Sequence, residues 1–310
     1  DRISWCALVG TAVKRCRLTP IQITYPPITY HVLNGHVLNG GRPMASVTAT
    51  IQYIQDDGDR AAYHASEAGG AAATHDGQFD PRQVQINDAR DAAAGFDLDG
   101  AGFTLVGQTS AVTDFYDDAQ LKAIYEAEVI ALIKQATGAR RVDVFDHTRR
   151  AATDSLRRQA KSREPSSVIH NDYTEWSAEQ RLRTLLPDEA EQLLRGRFAI
   201  INLWRSIAGT VETMPLAFCD STTLAADDLV AVKRVSKDRV GELQMARFNA
   251  AHRWYYYPGM TSDEALLIKT YDSATDGRNR FTIHTAFDDP NSAADAAPRQ
   301  SLETRCFVFF

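Results

Sequence analysis

The segment from Val168 to Thr174 places a histidine and a carboxylate two positions apart at the end of a short apolar run. On a β-strand, side chains at i and i+2 point to the same face, so His170 and Asp172 can hold one metal ion together. A third ligand must come from elsewhere in the chain, and His284 is the candidate. Two histidines and one carboxylate leave coordination positions open on the opposite side of the ion, as in non-haem Fe(II) sites. The pattern therefore predicts an iron site.

A second polar pair follows His284 along the chain. Arg299 and Ser301 open the last predicted strand, and an antiparallel neighbour of the His284 strand can bring them close to the metal. A guanidinium group makes two parallel charge-assisted hydrogen bonds with a carboxylate, and a serine hydroxyl adds a third. Beside an open iron site, the natural ligand for such a clamp is 2-oxoglutarate, which the pattern predicts as a cosubstrate.

These residues also have structural interpretations. A histidine and an aspartate two positions apart are common on surfaces and at helix N-caps, and only the combination with His284 and the arginine–serine pair favours a metal. His252 is the competing third ligand, but no arginine follows it at a comparable offset. We interpret His252 as a core or pocket-wall histidine beside the aromatic run 254–257.

Several further residues are candidates for substrate contact. Large aromatic side chains are usually buried packing first and pocket wall second. Arg205 needs a partner, which can be the carboxylate of a ligand or a structural carboxylate. Lys269 either pairs with Asp272 or borders the pocket. The candidate substrate-binding residues are Asn202, Trp204, Arg205, His252, Tyr255 and Lys269.

Strands must position most of these residues. Short apolar runs, separated by turn residues, follow one another from residue 198 to the end of the chain, which is typical of a sandwich or barrel. Together with the strand at 168–174 they give about the eight strands of a jelly roll. We predict a mostly β fold with flanking helices, a double-stranded β-helix (jelly roll). The predicted strands are 198–204, 214–219, 229–235, 242–248, 254–257, 265–272, 280–287 and 301–310.

The half of the chain before these strands has weaker signals. Asp114 predicts the N-cap and Gly138 the C-cap of one helix, and a second helix follows at 177–194. The Asp-Gly dipeptide at 99–100 predicts a hairpin that joins 95–98 to 103–106. Residues 55–82 lack periodicity and predict a mobile loop.

Composition excludes several classes of protein. The 310 residues are 44% hydrophobic and 24% charged, which is typical of a globular protein. A net charge of −6 does not suggest a nucleic-acid-binding face, and no apolar run is long enough for a membrane helix. Four scattered cysteines without close spacing fit a reducing cytoplasm better than a zinc site or a disulfide framework. The oligomeric state cannot be inferred.

The first 43 residues differ from the rest of the chain. Residues 31–35 repeat directly as 36–40, and the segment has no amphipathic period. We predict that residues 1–43 are a non-native or disordered extension, with a signal peptide as the alternative, and that the natural start lies near Met44. Residues 44–310 then form a single domain, with an N-terminal α/β cap at 44–165 and a jelly-roll core at 166–310.

The order of these motifs resembles a known family. A His-x-Asp pair, a distant histidine and an Arg-x-Ser pair on a strand-rich half resemble the Fe(II)/2-oxoglutarate-dependent oxygenase superfamily. The chain is most similar to the branch related to the cephem methoxylase component and to fungal hydroxylase/desaturase proteins. Two departures are Ser206, where the branch has proline, and Gln300, where it has glutamate. The matching stretches are 170–174, 202–205, 215–217, 252–256, 267–273, 284–287 and 299–301.

The resemblance implies a reaction and its participants. It implies that Fe(II), 2-oxoglutarate and O2 are used to hydroxylate, desaturate or cyclise a small molecule of secondary metabolism. One alternative is a catalytically silent partner subunit of a methyltransferase or tailoring complex. Another is a metal-dependent isomerase or hydrolase that does not use 2-oxoglutarate. The arginine–serine pair disfavours this alternative, because it suits a 2-oxoglutarate carboxylate.

Overall fold

The structure is a computed structural model that describes residues 45–55, 61–92, 95–237 and 239–310. The predicted extension at 1–43 lies outside these residues. The described strands are β1 Ser46–Ile54, β2 Ala62–His64, β3 Thr74–Asp76, β4 Phe79–Asp88, β5 Phe103–Gly107, β6 Arg141–Ala151, β7 His170–Asn171, β8 Phe198–Ser206, β9 Leu216–Cys219, β10 Leu229–Ser236, β11 Arg239–Ala246, β12 Trp254–Tyr256, β13 Glu264–Asp272, β14 His284–Ala286 and β15 Gln300–Phe309.

The described helices are short and lie mainly before the strand-rich half. The α-helices are α1 Asp118–Gln120, α2 Glu126–Thr137, α3 Asp154–Ala160, α4 Glu175–Leu185 and α5 Ala190–Leu193. A π-helical turn, Leu121–Tyr125, joins α1 to α2. The 3₁₀ turns are Ala89–Asp91, Ser221–Thr223 and Ala226–Asp228.

The described strands form two sheets. The larger sheet has the order β1-β4-β12-β9-β14-β7-β11-β10-β2-β3, and the smaller one has the order β5-β13-β8-β15-β6. Strands from the first half of the chain belong to both sheets, so the predicted cap and core are interleaved. The mostly β, jelly-roll fold class predicted from the sequence is confirmed.

Side-chain alternation on β8 explains how the layers pack. Every residue of β8 is buried, because both faces of this strand are covered. Ile201 and Leu203 belong to the apolar cluster that includes Val129 and Ile133 of α2. Trp204 points the other way and packs in a cluster with Phe218 of the larger sheet. Successive side chains of β8 thus pack alternately against the helix layer and into the space between the sheets.

Helix caps explain where the helices begin and end. Gly138 ends α2 as predicted, with φ of 71°, and its N–H donates to the carbonyl of Lys134. The predicted N-cap at Asp114 is wrong, because Asp117 accepts the N–H of Ala119 and the helix begins at Asp118. The predicted helix at 177–194 is divided into α4 and α5, and Pro187 lies between them.

Two predictions for the first half are wrong. Residues 95–98 form no strand, because the Asp97 carboxylate accepts the N–H groups of Asp99 and Gly100 at 2.9 and 2.7 Å and closes a turn. The strand after this turn, β5, pairs with β13 instead. The loop predicted at 55–82 contains β2, β3 and the start of β4, which pair with β10, with each other and with β1.

Candidate metal centre

Three short elements bring the predicted ligands together. Strand β7 lies between β14 and β11, and His170 is directly opposite His284 in the β7–β14 pair. The centroids of the two imidazole rings are 4.6 Å apart. His170 Nε2 lies 3.8 Å from Asp172 Oδ1. One ligand atom from each of the three residues lies within 4.8 Å of the others, which is close enough to surround a single ion.

The backbone orients both histidines in the same way. His170 Nδ1 lies 2.8 Å from the carbonyl oxygen of Val168, and His284 Nδ1 lies 3.0 Å from that of Thr282. A ring that donates from Nδ1 keeps the lone pair on Nε2, the nitrogen that can bind a metal. Burial, with the nearby His284, lowers the pKa of His170 to about 3, so the ring is neutral, as metal binding requires.

The Asp172 carboxylate is held on one side only. Its Oδ2 accepts hydrogen bonds from Asn202 Nδ2 at 2.7 Å and from Arg305 Nε at 2.8 Å. Burial by itself raises the pKa of Asp172, but the positive charge of Arg305 outweighs this effect and holds the pKa well below its usual value. Asp172 is therefore an anionic carboxylate whose Oδ1 faces the histidines.

Asn171, between two of these ligands, fixes the short strand. Its fully buried amide Nδ2 donates to Tyr173 O, Gln244 Oε1 and Thr270 O at 2.8, 2.9 and 3.0 Å. Its Oδ1 accepts the N–H of Thr282, the residue whose carbonyl orients His284. One side chain thereby ties the backbones of both histidine strands together.

Arg299 and Ser301 are buried next to this centre with unused donors. Arg299 Nη1 donates to the carbonyl oxygen of Met214, whose backbone φ is 47°. In the described part of the chain, Arg299 Nε and Nη2 and Ser301 Oγ have no hydrogen-bond partner. Burial, with the positive charge of Arg150, lowers the pKa of Arg299 to about 9.

These unused donors meet a small cavity. The cavity has a volume of about 20 Å³ and is lined by Arg299, Trp204 and both metal-site histidines, among others. Buried polar groups almost always have a partner, so the two unpaired Arg299 donors beside this cavity indicate a ligand that accepts hydrogen bonds. A carboxylate has the right charge and geometry, and the donor set fits the distal carboxylate of 2-oxoglutarate.

The pattern on β15 also contains residues that the sequence analysis missed. Ser301, Glu303 and Arg305 occupy alternate positions on this strand, directly after Arg299. Glu303 Oε1 accepts from Asn202 Nδ2 at 2.8 Å, and Glu303 Oε2 accepts from Arg305 Nη2 at 2.6 Å. Polar residues repeated every second position in an otherwise apolar strand are a signal for a polar inner face, and this signal was available in the sequence.

The structure places the six candidate substrate residues in different environments. Asn202 bonds Asp172, and Trp204 lines the small cavity. Arg205 lies on the opposite face of β8, where it donates to the carbonyl of Gln108 at 2.6 Å and stacks near Phe115. Among the described residues its side chain contacts a backbone carbonyl and aromatic rings and no structural carboxylate, and its Nε and Nη1 have no hydrogen-bond partner.

His252, Tyr255 and Lys269 do not line the two cavities next to the metal-site histidines. His252 uses both ring nitrogens, one with Tyr53 Oη and one with Asp228 Oδ2, each at 3.1 Å. Tyr255 packs in the cluster between the sheets. Lys269 pairs with Asp272 at 3.0 Å, one of the two alternatives considered from the sequence.

Comparison with known proteins gives relatives with defined activities. Residues 51–309 match the family model described as Oxidoreductase/YMDC permease-like domain. The chain is 33% identical over 255 residues to the hydroxylase/desaturase CTB9 of Cercospora beticola, which covers 75% of this chain and 78% of that protein. It is 33% identical over 238 residues to the Fe(II)/2-oxoglutarate-dependent dioxygenase nvfI of Aspergillus novofumigatus (strain IBT 16806), which covers 74% and 84%.

A solved structure has the same fold. The iron and alpha-ketoglutarate-dependent endoperoxidase NvfI superimposes with a TM-score of 0.73 at 29% identity, over 85% of this chain and 98% of that chain.

No helix in the described ranges is long and apolar enough to cross a membrane. The chain belongs to the Oxidoreductase/YMDC permease-like domain family, and within it to the Fe(II)/2-oxoglutarate-dependent dioxygenases of the hydroxylase/desaturase branch.

Proposed function

We propose that His170, Asp172 and His284 bind Fe(II), and that Arg299 and Ser301 bind the distal carboxylate of 2-oxoglutarate. The observation that carries this proposal is the convergence of three ligand atoms within 4.8 Å beside buried donors without a partner. The enzyme oxidises a small molecule of secondary metabolism, as expected from the relatives named hydroxylase/desaturase.

The residues of the chain orient the proposed metal ligands and keep them in the protonation state that metal binding requires. When bound, Fe(II) would activate O2, which is the oxidant, and 2-oxoglutarate would supply two of the four electrons that O2 takes up as it is decarboxylated to succinate and CO2, with the other two coming from the substrate. The backbone carbonyls of Val168 and Thr282 keep the Nε2 atoms of the histidines toward the ion, and Arg305 keeps Asp172 anionic. Hydroxylation, desaturation and oxidative cyclisation all begin with removal of a substrate hydrogen, so the position of the substrate selects among them.

Two further proposals concern the whole chain. We propose that residues 44–310 are one catalytic domain, in which strands from the segments 44–165 and 166–310 share both sheets, and that residues 1–43 are dispensable. A reducing cytoplasm is the proposed location, supported by the buried free thiols of Cys219 and Cys306 in the described part of the chain. Small-molecule substrate and O2 are the expected partners.

Anaerobic titration with Fe(II) and then 2-oxoglutarate tests the site assignment. The protein should bind one Fe(II), and 2-oxoglutarate should then produce the weak visible charge-transfer band of its iron chelate. His284→Ala should lose Fe(II) affinity by about 100-fold or more, because one of three protein ligands is removed. The matched variant His252→Ala should keep it, since both nitrogens of His252 already have protein partners.

The opposite results would each contradict a separate part of the proposal. If His252→Ala abolishes iron binding and His284→Ala does not, the third ligand is wrong. If iron binds without the visible band, the cosubstrate assignment is wrong. If the wild-type protein binds no iron, the chain acts as a silent partner subunit.

A further inference from the structure

A second, larger cavity lies on the side of the metal centre formed by His170 and Asp172. It has a volume of about 410 Å³, and both of these residues line it. Six arginines and two aspartates contribute to its wall, although the whole chain has a net charge of −6. The two aspartates are Asp146 and Asp172, and both are bonded to Arg305 at 2.7 and 2.8 Å. Six guanidinium groups against these two carboxylates leave the cavity wall with four positive charges in excess.

Within the described residues, four of the remaining arginines have no acidic partner. Arg150 donates to the carbonyl oxygen of Glu164 at 2.7 Å and lies 4.0 Å from Glu303. Among the described residues, no carboxylate lies within 4.0 Å of the other four guanidinium groups, all of which are half-buried. These are Arg163, Arg181, Arg234 and Arg239.

The guanidinium groups of this cavity repel one another. Burial is the main cause that lowers the pKa of Arg163, and the charges of Arg150 and Arg234 lower it further. Burial likewise lowers the pKa of Arg239, with Arg181 and Arg234 as the repelling neighbours. Arg181 Nε is buried without a hydrogen-bond acceptor in the part of the chain that the structure describes. Such a cluster is unfavourable for the folded protein unless an anion binds there.

Four separate elements contribute these arginines. Arg163 follows α3, Arg181 is on α4, and Arg234 and Arg239 lie at the end of the β10–β11 hairpin. Phe145, Tyr173 and Leu243 line the same cavity and offer apolar surface for a carbon skeleton. The wall therefore combines a cationic part with an apolar part, directly beside two of the three proposed iron ligands.

We propose that the substrate is a small organic anion whose carboxylate or phosphate groups bind Arg163, Arg181, Arg234 and Arg239, with its carbon skeleton beside the metal. This inference rests on the proposed function, because it assigns the substrate class of the same centre. Guanidinium groups bind both kinds of anion with parallel charge-assisted hydrogen bonds. A neutral molecule would leave the cationic wall without a counter-charge.

Calorimetric titration with trimesate, a benzene ring with three carboxylates, tests this inference. The protein is first saturated with Fe(II) and 2-oxoglutarate without oxygen, so that Arg299 is already occupied. We expect trimesate to bind, more weakly as salt is added, and neutral benzenetrimethanol to bind at least about tenfold more weakly. In the double variant Arg234→Gln/Arg239→Gln, trimesate affinity should fall by about tenfold to 100-fold, as for lost charged hydrogen bonds.

The matched control is Arg158→Gln. Arg158 is exposed on α3 and does not line the cavity, so its loss should leave trimesate affinity unchanged. Equal trimesate affinity in the wild type and the double variant, with the visible band of the iron chelate intact, would overturn the anion site and leave the proposed function standing. Absence of the band, with arginine-dependent trimesate binding retained in the unloaded protein, would overturn the proposed function and not the anion site.

Discussion

Arg299 and Arg305 lie six positions apart on the same stretch of chain, and their guanidinium groups have opposite surroundings. Arg305 donates to Asp172, Asp146, Thr148 and Glu303. Arg299 donates from its side chain only to the carbonyl of Met214, with Nε and Nη2 unpaired in the described part of the chain.

The electrostatic consequences differ in the same way. The surrounding carboxylates, Asp172 first, overcome burial and raise the pKa of Arg305 well above its ordinary value. Burial without such a partner lowers the pKa of Arg299. One arginine is thus part of the folded framework that holds Asp172, a proposed metal ligand. The other keeps unpaired donors in the described part of the chain, which supports the proposal that it binds a carboxylate.

The largest expected effect is that of Arg305→Met. This change leaves several buried carboxylates without their counter-charge, so the unfolding free energy should fall by about 3–5 kcal/mol. Urea unfolding measures the loss. The double variant Arg305→Met/Asp172→Asn should recover about 1–3 kcal/mol, because it removes one of the unpaired charges. If Arg305→Met costs less than about 1 kcal/mol, Arg305 is not a structural counter-ion.

Arg299→Met should weaken 2-oxoglutarate binding and leave the stability of the fold almost unchanged, the reverse of what we expect for Arg305→Met. The affinity for 2-oxoglutarate should fall by about 10- to 150-fold, as expected from losing hydrogen bonds between charged groups worth about 1.5–3 kcal/mol. The unfolding free energy without ligand should stay within about 1 kcal/mol of the wild type or rise, since an unpaired buried charge is removed. Calorimetry and urea unfolding measure the two quantities. A large loss of stability with unchanged 2-oxoglutarate affinity would make the two arginines equivalent.

The region near Arg305 should also respond to pH. His170 has a pKa of about 3 when folded, below its ordinary value, so it stabilises the fold above about pH 6.5 and loses this contribution as the pH falls. Between about pH 6.5 and 5, the metal-free protein should lose up to about 1.4 kcal/mol of unfolding free energy per pH unit from this group. His170→Gln should show a shallower slope in urea unfolding. Equal slopes would contradict a neutral, buried His170.

Ser301→Ala should have the smallest effect of these changes. It tests whether the hydroxyl two positions after Arg299 in the sequence contributes to ligand binding or to stability. Loss of one hydroxyl donor should weaken 2-oxoglutarate binding by about fivefold, equivalent to about 1 kcal/mol. The unfolding free energy should not fall, because Ser301 Oγ has no partner within the described residues. Ser301→Thr keeps the hydroxyl and is the matched control. A destabilised Ser301→Ala with normal 2-oxoglutarate binding would indicate a structural hydroxyl.

Prediction of the fold from sequence succeeded where a signal was local and strong. Apolar runs predicted the strands from β8 onward, and a glycine directly after a run with helical spacing predicted the cap at Gly138. Both are present, and Gly138 has the positive φ that favours glycine. The signal was weaker where pairing is distant. β2 and β3 lie in a segment without periodicity, and their hydrogen bonds are made with β10 and with each other. The side chain of Asp97 replaced a predicted hairpin with a turn.

The candidate site shows the same division. The spacing of His170 and Asp172 correctly placed both side chains where one ion can contact them. Asn202 was singled out for the substrate, but its amide bonds Asp172 and Glu303. Arg205 faces the helix layer because it is one residue out of phase with Trp204 on β8. Strand parity could have predicted this last difference from the sequence.

The sequence by itself determined the chemical types of the site and the faces of the strands that carry them. It supplied the His-x-Asp pair, the distant His284 and the alternating polar positions from Arg299 to Arg305. Only the tertiary structure decided that His284 and not His252 lies opposite His170, and which arginine keeps unpaired donors. It also assembled a cationic cavity from three separate parts of the chain, which are the segment after α3, helix α4 and the β10–β11 hairpin. The reason is physical, because local spacing sets the direction of a side chain, whereas its neighbours depend on strand order, register and packing between segments far apart in the chain.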